Sequence, residues 1–132
     1  MIADRIEIAD LFARFALVLD ERRCDDVGTV LADDVVVHSP RGGELRGLDA
    51  VLGFLREGGV EGERTQHTTT DLLVDVDGDQ GVASANSLVY YYRDGRPPHF
   101  TGSLRLTATV VRTAAGWRFR EQRITPAWTR ES

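Results

Sequence analysis

The second half of the chain is a succession of long strand-like segments joined by tight turns, and this limits the folds open to it. The segments run over residues 64–77, 81–93, 99–113 and 116–126. Asp77-Gly78-Asp79, Asp94-Gly95-Arg96 and Ala115-Gly116 lie between or beside them and carry turn chemistry. The third segment alternates cleanly: Phe100, Leu104, Leu106, Ala108 and Val110 take one face, and Thr101, Ser103, Arg105, Thr107 and Thr109 the other. That is the pattern of an antiparallel sheet with one covered face. Such a sheet needs a second layer to bury its apolar side.

The first half supplies that layer. Residues 4–22 read as a helix, with Asp4 as its cap and Glu7 completing a capping box. At about 100° per residue, Ala9, Ala13, Ala16 and Asp20 share a narrow arc. Ile8, Phe12 and Leu19 flank it on one side, Ile6 and Leu17 on the other. Asp25 to Leu31 reads as a short second helix, Val35 to His38 as a short strand, and Arg41-Gly42-Gly43 as a turn. Leu48 to Glu57 reads as a third helix stopped by Gly58-Gly59. Helices first and an antiparallel sheet afterwards give an α+β class in a single domain over residues 1–132.

Composition narrows the function classes. With a net charge of −5, the chain lacks the basic surplus that nucleic-acid binding relies on. All 16 basic side chains are arginine, which removes Schiff-base and P-loop lysine chemistry. One cysteine, Cys24, leaves no internal disulfide and points to a reducing cytoplasm. The N-terminus does not read as a signal peptide, and no apolar run approaches the ~20 residues of a membrane span.

Several local sequences resemble the SnoaL-like branch of the NTF2-like superfamily. Leu19-Asp20 closes the first helix, and Leu31-Ala32-Asp33-Asp34-Val35 leads into the first strand. Gly47 precedes Val51 and Phe54 in the third helix; His67 begins a strand ending in Val74-Asp75-Val76-Asp77-Gly78-Asp79; Gly116-Trp117-Arg118-Phe119 opens the last strand. The resemblance implies a curved sheet wrapped around a long helix, enclosing a conical pocket. Members include polyketide cyclases, dehydratases, a dehydrochlorinase, steroid isomerases and non-catalytic ligand binders, so fold alone does not settle function.

In the dehydratase and dehydrochlorinase members an Asp late in the first helix orients a His on the sheet, and Asp20 and His67 fall at matching positions. One dehydratase relative has a Tyr where Phe15 stands here. Asp71 occupies the place of a frequent His partner. The pocket is then expected to draw on Phe12, Phe15, Ala16 and Val37, and further on Phe54, Asp71, Tyr90 and Trp128.

The residues themselves argue unevenly for this pair. A carboxylate inside an apolar stripe and near a helix C-terminus needs a partner; the alternatives for Asp20 are solvation or pairing with Arg22 or Arg23. Strict alternation sets His67 on the face opposite Leu72, Val74 and Val76. Either a bulge switches the phase of the strand, or its first half faces a polar pocket. His38 and His99 sit in separate contexts without metal-ligand spacing, so no metal or other cofactor is expected. An Asp-oriented His suits proton abstraction, followed by elimination or isomerisation, on a small apolar oxygenated ring compound. The rival is a binding or dimerisation module of the same fold. A homodimer is expected through the outer face of the sheet, with no nucleic-acid or membrane partner.

Overall fold

The computed structural model describes residues 1–132. Helix α1 (Ile2–Asp20) leads through a short 3-10 helix (Cys24–Thr29) into β1 (Leu31–Ser39) and β2 (Gly43–Arg46). Helix α2 (Leu48–Glu57) follows, then β3 (Arg64–Asp77), β4 (Gln80–Tyr92), β5 (Phe100–Thr113) and β6 (Gly116–Glu131). The six strands form one open sheet in the order β2-β1-β6-β5-β4-β3. Only the β1–β6 pair is parallel. The sheet curves enough for Arg41, at the β1–β2 turn, to reach the hydroxyl of Tyr91 on β4 at 3.4 Å. No helix is long and apolar enough to cross a membrane.

The core lies between the concave face and α1. Ile8, Leu11, Phe12 and Val18 of α1 are buried, and so are Trp117 and Phe119 of β6. Phe12 meets Phe119 edge to face at 4.9 Å between ring centroids, a favoured aromatic geometry. The packed stripe of α1 is therefore rotated away from the expected one. Ala13, Ile6 and Leu17 are exposed, and Asp20 stands at the border of the buried face, where α1 meets β3. The reason is that large side chains, not the alanines, fill the space under the sheet.

Several boundaries differ from the expectation: α1 ends at Asp20 and not at residue 22, and β1 runs from Leu31 to Ser39 and not only from Val35 to His38. The expected second helix, Asp25 to Leu31, is a short 3-10 helix over Cys24–Thr29, since Gly28 and Thr29 disfavour α-helix propagation. The strand β2 pairs with β1 from Val36↔Arg46 to Ser39↔Gly43, and four residues are too few to show a period. β6 runs past Pro126 to Glu131. The proline is tolerated because β1 pairs only with residues 119–123 of β6, so beyond them β6 is an edge, and a register shift follows Pro126.

Asp4 does not cap α1; the helix begins at Ile2 with Met1 before it and no side-chain cap. Instead the Asp4 carboxylate accepts from the Trp117 indole at 3.2 Å and pairs with Arg112 at 3.0 Å. Glu7 accepts from the Trp117 backbone N–H at 2.8 Å. Both acids thus fasten the start of α1 to β5 and β6, and the Trp117 hydrogen bond, aided by Arg112, lowers the Asp4 pKa.

Candidate active site

Asp20 is the last residue of α1, and its carboxylate points at β3. It accepts three hydrogen bonds there: from the Thr65 hydroxyl at 3.0 Å, the His67 backbone N–H at 2.9 Å and the His67 ring Nδ1 at 2.6 Å. Three donors offset the unfavourable helix C-terminus. Both side chains are only 18% exposed. Arg22 is not the partner; it donates to the Leu55 and Gly58 carbonyls at the end of α2. A carboxylate only accepts, so a neutral His67 ring facing it through Nδ1 holds its proton there and leaves Nε2 bare.

His67 reaches this position because β3 changes phase. A register shift separates Thr70 from Leu73, and Asp71 stands in it with φ of 56°. Aspartate tolerates that left-handed conformation better than most residues. Asn86 Nδ2 at 3.1 Å and Thr70 Oγ1 at 3.2 Å hold its carboxylate. Before the bulge Thr65, His67 and Thr69 turn inward; after it Leu72, Val74 and Val76 do. Both halves of β3 thus face the same interior.

The His67 ring lines a cavity with Phe12, Phe15, Ala16 and Leu19 of α1. Thr69, Ser87, Leu104, Leu106, Gln122 and Ile124 add walls from β3, β4, β5 and β6. Of the residues expected to line it, Phe12, Phe15 and Ala16 do so. Val37 is packed into the core instead. Phe54 lies over Gly42, where an added Cβ would stand 2.8 Å from its ring, and so closes the β1–β2 turn. Asp71 is exposed in the bulge.

Tyr90 alternates with the inward Ala83, Ala85, Ser87 and Val89, so it faces outward, and Tyr91 turns in beside Phe100. Trp128 pairs with Ser103 and is 51% exposed. His38 and His99 are separate from the cavity, each against its own glutamate: Glu121 at 3.0 Å and Glu63 at 2.8 Å.

Among the cavity residues that the sequence pattern did not single out are two buried polar ones, Ser87 and Gln122. Ser87 sits in the inward phase of small residues Ala83 and Ala85, a signal of space left for something else. Gln122 is hidden by a second bulge: Val110 pairs with Phe119 but Thr109 with Glu121. The extra residue, Arg120, moves the inward phase from odd to even positions.

A family model described as a SnoaL-like domain matches residues 1–123. Among solved structures, the Kfla4162 protein of Kribbella flavida is 23% identical, with a TM-score of 0.85 over 97% of this chain and 93% of that one. A type 2 hexachlorocyclohexane dehydrochlorinase (LinA) is 17% identical, with a TM-score of 0.85 over 99% of this chain and 90% of that one. A Novosphingobium aromaticivorans protein provisionally named a scytalone dehydratase is 16% identical, with a TM-score of 0.82 over 99% and 89%. These likenesses establish a shared NTF2-like fold. No curated protein matches the chain in sequence.

Proposed function

The chain belongs to the SnoaL-like domain family, and we propose that it is a cofactor-independent lyase, dehydratase-like, acting on a small, largely apolar, oxygenated ring compound. The observation that carries this reading is the His67 ring, held at Nδ1 by Asp20 at 2.6 Å and lining an aromatic and aliphatic cavity. His67 Nε2 takes a proton from a carbon beside an activating group. The C–H electrons form the new double bond as the β hydroxyl leaves. The imidazolium proton then passes to that hydroxyl, so that water is the second product and the base is regenerated. Returning the proton to another carbon would give an isomerisation instead. Asp20 orients the ring and stabilises the imidazolium.

The test is a set of β-hydroxy cyclic ketones, followed by the ultraviolet absorbance of the conjugated product. Turnover that falls by about 10²–10⁴ in His67→Ala, the usual worth of a positioned base, supports the reading. Unchanged turnover in a folded His67→Ala variant overturns it, and absence of turnover across the set favours the alternative, a ligand-binding module.

The assembly we propose is a homodimer through the convex face of the sheet. Leu73 is 70% exposed there, and Val82 and Trp128 share that face. Asp75 and Arg123 lie among them as opposite charges. Light scattering that shows a monomer at micromolar concentration would exclude it.

A further inference from the structure

One polar side chain in the cavity has no structural employment. Gln122 is 7% exposed, and its Oε1 is fully enclosed without a hydrogen-bond partner. Its cross-strand neighbours, Ala108 on β5 and Val37 on β1, offer only apolar side chains. Buried polar groups are paired in most proteins, and an unpaired one is a net loss to the folded state. A methionine of similar length would fill the same space without that loss. Gln122 is one of the residues lining the same cavity as His67, three strands further along the sheet, and a turn of its terminal torsion brings the enclosed oxygen to face the cavity.

We infer that Gln122 is the polar anchor of this pocket, and that the substrate class is a ring compound carrying a hydroxyl group remote from the carbon that His67 deprotonates. This rests on the reading of the cavity as a substrate pocket. The terminal torsion of a glutamine is soft, so the amide can turn either its carbonyl or its NH₂ to the ligand. A hydroxyl answers both, since it donates to Oε1 or accepts from Nε2. A halogen in the same place cannot donate and leaves the carbonyl unpaired. Sites built to hydrogen-bond a hydroxyl reject analogues that lack one, because the buried partner then stays unsatisfied. Ser87, 3% exposed on β4, is the other nearly buried polar side chain lining the cavity. The remaining walls set shape, and Gln122 sets orientation.

Phenol and chlorobenzene are matched probes, titrated against the purified protein and read by NMR shifts of the cavity residues. Chlorobenzene is the more apolar and would win on burial alone. The inference expects phenol to bind about tenfold more tightly, the worth of one satisfied buried hydrogen bond. In Gln122→Met this preference should vanish while Tm holds or rises. In His67→Ala the preference should persist.

Chlorobenzene binding as tightly as phenol, or neither probe binding, overturns the inference. So does a Gln122→Met variant that loses Tm but keeps the preference, which is what a structural glutamine would show. A preference lost in His67→Ala and kept in Gln122→Met would place the hydroxyl on the base: Gln122 then fails while the proposed dyad stands. Conversely, a dyad without effect on turnover leaves the Gln122 preference intact as a binding property.

Discussion

His67 Nδ1 lies 2.6 Å from Asp20 Oδ1, and the same carboxylate also accepts the His67 backbone N–H at 2.9 Å. Ring and backbone of one residue are thus held by one acid, so the imidazole has little freedom to turn or to change tautomer. A strand residue held in this way is a rigid element that presents one nitrogen to the cavity.

Asp20→Asn should therefore cost more than a charge. An amide has one accepting oxygen, so its NH₂ must face one of three donors. We expect a loss of about 1–3 kcal/mol, the penalty of a buried unpaired group, with turnover down by at least about 10². Thr65→Val removes one hydrogen bond and keeps the pair; it should cost about 1 kcal/mol and leave turnover within a few-fold. Urea unfolding and steady-state kinetics on both variants check the split.

Asp71 is a backbone residue in this account. With φ of 56°, Asp71→Asn should leave stability and turnover nearly unchanged. Asp71→Val should lose about 1–2 kcal/mol, since a β-branched side chain is strained there. A large loss of turnover in a stable Asp71→Asn variant would return Asp71 to the chemistry.

Ala16 is the small residue that leaves α1 open to the cavity. Ala16→Leu fills that space and should raise KM or weaken phenol binding by about tenfold or more, the scale of a pocket steric effect. Tm should change little, because Ala16 lies at the cavity and not in the packed core. Calorimetry and titration separate the two effects.

Much of this architecture is legible before any coordinates, and what is not has a common cause. Leu48–Glu57 and Arg64–Asp77 have the ends that the periodicity assigns. A long apolar period with glycine stops is a local signal, and local signals survive folding. Bulges are not local: the extra residue at Asp71 and at Arg120 is defined by pairing with a neighbouring strand. Strict alternation therefore turns His67 outward and hides Gln122. The triple Tyr90-Tyr91-Tyr92 could have been resolved, since the small inward residues Ala83, Ala85 and Ser87 set the phase that selects Tyr91. Asp20 was legible as a misplaced charge, but the stripe around it was not. Alanines mark a face that is small, and the sheet chose the face that is large.

Asp4 makes stability depend on pH in a defined direction. Its pKa lies below the ordinary 3.8, chiefly through the Trp117 hydrogen bond. A group with a depressed folded pKa binds fewer protons in the native state, so its contribution is complete above about 3.8 and fades as pH falls through the folded value. The Tm difference between the wild type and Asp4→Asn should be constant near neutrality and shrink below that point. A difference that grows in acid would contradict the clamp at the start of α1.

The tautomer of His67 tests the central claim most directly, and it needs no substrate. Nitrogen-15 NMR of the labelled ring, with the imidazole neutral, should show the proton on Nδ1 and a bare Nε2. Asp20→Asn should disturb that preference. A ring protonated at Nε2, or an even mixture of tautomers in the wild-type protein, would contradict Asp20 as the orienter and His67 as the base.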